Sequence, residues 1–581
     1  MKVLITTLNA RYTHSSLAIA YLRESCRDEK WELECREFTI NDRLADIMAQ
    51  IYRIRPVVLC FSCYIWNVQQ ILELCSDYKQ VDPDCIIVLG GPEVSYDCQN
   101  IMRANDAIDI IISGEGEQTL KVLLQHLYSG SDHTHLNGLA WRCGESIILN
   151  EPAVLINDLS SIPSPYEGDM SFYKHKMVYY ETSRGCPFNC SYCISSTFKG
   201  VRYFPLERVK KDLRFLMGNK TKKIKFVDRT FNSNEKRSLE LMKFILDEMG
   251  ENRNTSFHFE VCADLFSDKM LTFLKDIPGG IFDFEIGVQS TCPASLQAVN
   301  RTMDWNKLLI NIQKIQSYQN IHLHLDLIAG LPYEDYKRFG QSFNDVYQLK
   351  PDVIQLGFLK MLKGSQIYIQ RDRHEYRYRN LAPYEILSNA YITYDDLIKL
   401  HDIEDLIEKY YNTGLMIHTM QYIIDNIYQG NAFALLEEKA WYWRSRDLYE
   451  KPHRRDNLYI LLSQFIKDNY GEYLPAVIEL LKYDYLLNNR VYKVPEQLQS
   501  HNPAEAQELL NSILKDNDFL MEYVPEMRGW SLREMKKYAY LEYLKINPLN
   551  PLAVQEDNIP IVFLYNQKDH KCYRNIVLDF Q

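Results

Sequence analysis

No apolar run in the sequence approaches the roughly 18 residues that a membrane-spanning helix needs. The longest, such as Val57–Phe61 and Ile559–Tyr565, are strand-sized. The N-terminus, MKVLITTLNARYTH, is interrupted by Asn9, Arg11 and His14 and so lacks the apolar core of a secretory leader. These absences predict a cytoplasmic protein with no membrane partner. A basic excess is missing too. Lys and Arg number 66 against 77 Asp and Glu, a formal net charge of −11, and neither end carries a basic tract. A general nucleic-acid binder would show a positive footprint, so nucleic acid is disfavoured as a partner. The loop after the first strand has no G-x-G-x-x-G, which disfavours a nicotinamide site.

What is present describes an ordinary globular chain, 46% hydrophobic and 25% charged, with 14 cysteines. Without a secretory leader these read as thiols or metal ligands and not as a disulfide framework. At 581 residues the chain needs several cores. Residues 1–135 alternate strands (Val3–Thr6, Leu33–Ile40, Val57–Ser62, Ile86–Leu89, Ile108–Ile112) with helical spacing (Leu17–Cys26, Leu44–Ile54, Val68–Tyr78, Thr119–Leu127). Continuous apolar strands in β-α units predict an α/β, doubly wound parallel sheet. Such sheets bind ligands beyond the strand C-termini. Those ends carry Asn9 and His14, Gly90-Gly91, and Gly114-Glu115-Gly116. The glycines either let a ligand approach the backbone or simply make turns. Cys60 and Cys63 form a C-x-x-C that reads as structural, because Cys60 lies inside an apolar strand.

Pro152, Pro163 and Pro165 mark 136–175 as a linker. After a strand at Met177–Thr182 comes Cys186-Pro-Phe-Asn-Cys190-Ser-Tyr-Cys193, a C-x3-C-x2-C loop. Three thiolates on one loop can hold three irons of a cubane. Zinc would want four closed protein ligands, and no fourth Cys or His follows at finger spacing. A structural cysteine cluster is the alternative. Strands at Ile224–Val227, Ser256–Val261, Phe282–Val288, His322–Ile328 and Val353–Phe358 are separated by helical stretches such as Leu206–Met217 and Leu239–Met249. They predict a partial β/α barrel over 176–370, with its chemistry at the strand C-termini.

The C-x3-C-x2-C loop with an aromatic before its last cysteine resembles the signature of radical S-adenosylmethionine enzymes. A five-unit α/β domain directly before it, with the segments FVDRTFN, FEIGVQS and GEGE, is similar to the cobalamin-binding subgroup. The resemblance implies a 4Fe–4S cluster on Cys186, Cys190 and Cys193, with S-adenosylmethionine on the open iron and Tyr192 near its adenine. It implies that Asp228 and Asn232, which stand where other members have a Gly-Gly-Glu turn, contact the methionine moiety. Glu260, Gln289 and Ser290 would be secondary contacts, and 1–135 would bind cobalamin. The D-x-H-x-x-G that many cobalamin proteins use is absent after the first strand. Asp132-His-Thr-His135-Leu-Asn-Gly138 is a near miss in the wrong place, and His14 on the correct loop is either a cobalt ligand or a hydrogen-bonding group.

The implied activity is methylation of an unactivated carbon or phosphorus centre through a 5′-deoxyadenosyl radical and methylcobalamin, fed by an external flavodoxin- or ferredoxin-type electron donor. Rearrangement or ring contraction without net methyl transfer, and a non-catalytic iron–sulfur and cobalamin sensor, stay open. No catalytic side chain is assigned. Residues 371–581 read as a mostly helical domain, with helical spacing at Leu381–Leu400, Ile403–Tyr411, Gly414–Tyr428 and Leu458–Ile466, and with a closing hairpin of Ile559–Tyr565 and Tyr573–Phe580. This tail caps the barrel or serves as a scaffold or dimer surface. The run Arg371-Asp-Arg373-His-Glu-Tyr-Arg377-Tyr-Arg379 interleaves aromatics and arginines as base-stacking surfaces do, but Asp372 and Glu375 dilute it, so it reads as a solvated face. The expected substrate is a small-molecule metabolite or lipid-like precursor.

Overall fold

The computed structural model describes residues 1–578 apart from 169, 198–199, 251–252, 491–493, 499, 548–549 and 568–570. The chain forms two compact units, Met1–Ser342 with Gln355–Leu397, and Phe343–Ile354 with Ile398–Gln581. No helix among the described residues is long and apolar enough to cross a membrane. All fourteen cysteines are free.

The first unit opens with β1 (Lys2–Asn9), β2 (Glu32–Thr39), β3 (Val58–Ser62), β4 (Ile86–Gly90), β5 (Ile110–Ile112), β6 (Leu139–Cys143) and β7 (Ser146–Leu149). They lie in the order β2-β1-β3-β4-β5-β6-β7. The first five are parallel, as their unbroken apolar character demands, and helices on both faces bury them. Leu4, Leu59, Ile87 and Ile111 point to one core, and Val3, Ile5, Val58 and Ile110 to the other. The chain leaves β1 in opposite directions to β2 and β3, which creates a crevice beyond their C-termini. β6 and β7 correct the sequence reading, which put 136–175 in a linker. They extend the sheet antiparallel through Trp141 and Ile148, short alternating strands that carry little apolar signal.

The second sheet comprises β8 (Val178–Tyr180), β11 (Lys223–Phe226), β12 (Ser256–Glu260), β13 (Phe282–Gln289), β14 (His322–Ala329) and β15 (Val353–Phe358), in the order β15-β14-β13-β12-β11-β8. Its strands from β8 to β14 pair in parallel. This is the expected partial barrel. Between β8 and β11 a hairpin of β9 (Ser183–Cys186) and β10 (Gly200–Tyr203) pairs antiparallel. Its tightness requires Gly185, whose φ is +100° and where a Cβ would lie 2.1 Å from the Gly200 carbonyl oxygen.

The segment after 371 packs with the barrel before the chain enters the second unit. Residues 371–397 belong with the first unit. The phenol of Tyr376 donates to the Gly330 carbonyl at 3.0 Å, and Asn389 donates to the same oxygen at 2.9 Å. Tyr376 and His374 are buried and Tyr378 is half-buried, while Arg373, Arg377 and Arg379 face solvent. The helix expected from Leu381 starts only at Tyr394. Pro383 interrupts the earlier segment, β16 (Arg377–Tyr378) pairs with β17 (Ile386–Ser388), and the Thr393 hydroxyl caps the helix by accepting from the Asp396 amide at 3.2 Å.

In the second unit the helices Ile417–Asn426, Ala432–Arg444, Arg455–Asn469 and Leu474–Asn488 accompany a sheet of β18 (Ala539–Asn547), β19 (Asn550–Tyr565) and β20 (Cys572–Val577). The expected closing hairpin is present where Ile561–Tyr565 meets Cys572–Val577, and Phe580 lies outside the described residues. β18 was not foreseen. The middle of Leu474–Asn488, Val477 to Leu486, is buried on every side, including Glu479, Lys482 and Asp484. Glu479 accepts from Lys482 at 3.0 Å and contacts His501 at 2.7 Å. Asp484 accepts from the Thr419 amide at 2.8 Å.

Candidate functional site

The β9 strand delivers Cys186 to the mouth of the barrel, and the loop that follows carries Cys190 and Cys193. The loop is fixed from three sides. The Ser191 amide donates to the Val299 carbonyl, the Ile367 amide to the Ser191 carbonyl, and the Cys193 amide to the Cys190 carbonyl. Burial raises the Cys186 thiol, whose sulfur lies 3.7 Å from the Thr230 hydroxyl. Cys190 is buried, and Arg301 donates Nη1–H to its sulfur at 3.7 Å. No three His, Cys, Asp or Glu side chains among the described residues converge tightly enough for a single metal ion. A cubane asks for something different, one thiolate per iron from a loop of three cysteines, and this loop fits it. Tyr192 stands beside Cys190 and Arg301, and burial pushes its phenol well above the ordinary range. Gln289 is held at φ +72° with a buried, unpartnered Oε1, a vacancy on the acceptor side suited to a ligand's donor.

A cavity of about 700 Å³ runs from mid-strand Ile5, Cys60 and Val88 to the barrel residues Tyr179, Val227 and Arg229. Asn9, His14, Gly90, Gly91, Gly114, Glu115 and Gly116, all picked out from the sequence, line it. Gly91 is required there. Its φ is +106° and ψ 170°, and a Cβ would lie 2.5 Å from the Cys63 carbonyl oxygen. A large, mostly apolar slot above the strand C-termini suits a bulky cofactor with an apolar body. His14 lies edge-on to Tyr179 at 5.9 Å, and burial together with Arg11 lowers its pKa, which keeps the imidazole neutral. Cys60 and Cys63 are buried with raised thiol pKa values, as burial in apolar surroundings causes.

Between cavity and cysteine loop sits a charge cluster that sequence reasoning missed. Arg184, two residues before Cys186, donates to Glu181 at 2.8 Å, Glu115 at 3.0 Å and Glu117 at 2.5 Å. Glu115 also accepts from Arg202 at 2.8 and 2.9 Å and from the Ile156 amide at 2.9 Å. Glu115 thus lines the cavity and carries this network at once. Its oxygens are taken by the joint between the N-terminal domain and the hairpin. The available signal was charge complementarity between the GEGE turn and the arginine inside the cysteine motif.

Three further expectations meet filled valences. Asp228 accepts from the Thr182 amide (2.8 Å), the Thr182 hydroxyl (2.7 Å) and the Ser183 hydroxyl (2.6 Å), and so holds the turn into β9. Asn232 exchanges hydrogen bonds with the Cys262 backbone at 2.8 and 2.9 Å. The Ser290 hydroxyl donates to Glu334 at 2.7 Å inside a buried network with Ser342. Each ties down the frame from which the site springs, because a polar loop end in a parallel barrel must satisfy its own backbone first. Glu260 differs. Among the described residues its one ion-pair contact is Arg229 at 4.0 Å, and burial raises its pKa.

A parallel five-strand core whose crevice reaches barrel residues beside a three-cysteine loop defines a protein that joins a ligand-binding α/β domain to a β/α barrel. Family comparison identifies the parts. Residues 3–124 match the B12 binding domain, 180–346 the radical SAM superfamily, and 372–563 the family described as "Protein of unknown function (DUF4080)". Residues 3–124 thus form a B12-binding domain and 180–346 a radical S-adenosylmethionine domain, and the cofactors of these domains are cobalamin, a 4Fe–4S cluster and S-adenosylmethionine. It is 26% identical over 314 residues to the 2-(S-pantetheinyl)-carbapenam-3-carboxylate methyltransferase of Streptantibioticus cattleyicolor, covering 50% of this chain and 45% of that protein. It is 25% identical over 402 residues to an uncharacterized methyltransferase of Pyrococcus horikoshii, covering 67% and 84%. The chain thus spans less than half of the first relative and most of the second. Among solved structures, the fold is shared with the cobalamin-dependent S-adenosylmethionine radical enzyme OxsB, at TM-score 0.58 and 14% identity over 91% of this chain and 84% of that one. It is shared also with the methyltransferase TsrM from Kitasatospora setae, at TM-score 0.55 and 16% identity over 64% and 75%.

Proposed function

We propose that the chain is a cobalamin-dependent radical S-adenosylmethionine methyltransferase acting on a small molecule. The observation that carries this reading is the continuity of one cavity from the Gly90-Gly91 and Gly114–Glu117 loops to the barrel residues Glu181, Arg184 and Arg229 next to the cysteine loop. The cofactors, when bound, supply one-electron cleavage of S-adenosylmethionine and carriage of a methyl group. The protein's part is placement. Cys186, Cys190 and Cys193 are the cluster's ligands. Gln289 and Tyr192 face the space beside it, and Gly91 lets the backbone form one wall of the cofactor slot. Asp228 and Asn232 act through Thr182, Ser183 and Cys262, fixing the strand ends from which the loop springs. The apolar walls keep water from the reacting groups. His14 lines the slot as a neutral imidazole, able to meet cobalt or to hydrogen-bond. The same reading puts the enzyme in the reducing cytoplasm with a flavodoxin- or ferredoxin-type donor. S-adenosylmethionine labelled in its methyl group, incubated with the reduced, cobalamin-loaded chain and an extract of its source, tests it. A labelled product supports methyl transfer. An unlabelled new product formed with 5′-deoxyadenosine favours rearrangement, and no 5′-deoxyadenosine at all favours a sensor.

A further inference from the structure

The β/α barrel interior is not apolar. Strict alternation in β11 to β14 buries Phe226, Phe257, Phe259, Phe282 and Phe284 on the helix side. The opposite residues are Lys223, Lys225, His258, Glu260, Asp283, Glu285, His324 and Asp326. That polar face continues in register to Val227 and Arg229, which line the cavity, so it opens toward the reacting centre. Its side chains keep partial access: 25% for Glu260, 21% for Glu285 and 19% for Asp326. Barrels that need only a core fill this space with branched apolar residues. Setting ionisable groups here costs desolvation that a polar ligand would offset.

The pairing pattern gives the ligand's sign. Both lysines are matched, Lys223 to Asp283 at 2.7 Å and Lys225 to Glu285 at 2.8 Å, with His258 also on Glu285 at 2.7 Å. His324 lies 3.1 Å from Asp326, but in an alignment that leaves Asp326 Oδ1 buried without a hydrogen bond. Glu260 has no hydrogen-bond partner among the described residues, and Arg229, its nearest cation, is half exposed and 4.0 Å away. His324 Nε2 is itself without an aligned partner, and the carboxylates short of a well-formed hydrogen bond on this face are Glu260 and Asp326. A raised Glu260 pKa, caused by burial and then worked on by Glu285 and Asp326 against Arg229, is what a buried carboxylate shows when a cation is wanting.

Resting on the methyltransferase reading, we propose that the substrate is a water-soluble amine whose protonated nitrogen is held in the barrel by Glu260 and Asp326. This replaces the lipid-like alternative and moves Glu260 from the cofactor to the substrate. Equilibrium dialysis of the reconstituted, cobalamin-loaded chain against radiolabelled n-butylamine, n-butanol and butyrate at pH 7 tests it without any turnover, so its failure is separate from failure of the proposed reaction. The amine should be retained at least ~10-fold more tightly than the alcohol and the acid, a difference of about 1.4 kcal/mol. Glu260→Gln and, independently, Asp326→Asn should each remove most of that preference. Equal retention of the three probes by the wild-type chain overturns the proposal, whatever the variants do. So does unchanged amine binding in folded variants. Displacement of the amine by S-adenosylmethionine would return Glu260 to the cofactor and equally overturn it.

Discussion

Replacing Arg184 with methionine removes the cation shared by Glu181, Glu115 and Glu117. Arg202 remains for Glu115, but among the described residues Glu181 and Glu117 have no other ion pair. The arginine side chain is 13% exposed and the three carboxylates 11–14%, so water can reclaim only part of what is lost. Removing one partner of a buried pair costs about 3–5 kcal/mol. The residual exposure and the surviving Arg202 contact put this case near the lower end, about 3 kcal/mol. The guanidinium also sits 5.3 Å from the Tyr21 ring, a contact of about 0.5–1 kcal/mol. Arg184→Lys keeps the charge but cannot serve three acceptors in a plane, and should cost roughly half as much. Urea unfolding of the reconstituted chain gives the comparison, and iron content gives a second readout, because the same residue aims β9 at the cluster loop. A methionine variant within about 1 kcal/mol of wild type, or a lysine variant as damaged as the methionine one, would refute the reasoning.

Gly91→Ala should destabilise the N-terminal domain by about 3 kcal/mol or more, from its backbone conformation and the contact with the Cys63 carbonyl, and should abolish hydroxocobalamin binding measured by difference absorbance. Arg301→Gln should keep the iron but lower the midpoint potential of the cluster in an electron-paramagnetic-resonance titration, with Arg301→Lys intermediate, because a cationic donor to the Cys190 sulfur favours the reduced, more negative cluster. Acid should weaken the barrel. Burial raises the Glu285 carboxyl, but the hydrogen bond from His258 and the charge of Lys225 outweigh it and hold it well below the usual range. Its contribution is full above the unfolded pKa of about 4.3 and is lost as pH falls through the folded value. His258, lowered by burial, adds loss of the same sign below about 6.5. Melting temperatures should fall as pH drops from about 7 to about 2, and Glu285→Gln should flatten only the part of the slope below about pH 4.

The sheets were legible because their strands are continuous or strictly alternating. Val57–Ser62 reads as a buried parallel strand from its composition alone, and FDFEIGVQ reads as a two-faced one. The cysteine loop was legible from spacing, and the cavity-lining glycines from their place at strand ends. What the chain order hides is which polar residues have already spent their valences. Asp228 and Ser290 look identical in sequence to ligand contacts, yet their oxygens are filled by Thr182, Ser183 and Glu334, residues brought together only by the barrel's closure. Glu115 and Arg184 lie 69 positions apart, and no local period joins them. β6, β7 and β18 escaped because strands at a sheet's edge or facing partly to water carry mixed patterns. The helix drawn through Leu381–Leu400 ignored Pro383.

The reaction's first chemical step is the most direct test. The anaerobically reconstituted, reduced chain should convert S-adenosylmethionine to 5′-deoxyadenosine, and a Cys186→Ala/Cys190→Ala/Cys193→Ala variant that remains folded should lose both the iron and that product. A triple variant that keeps the same iron load, or a wild-type chain with a full, reduced cluster that makes no 5′-deoxyadenosine, would contradict the account.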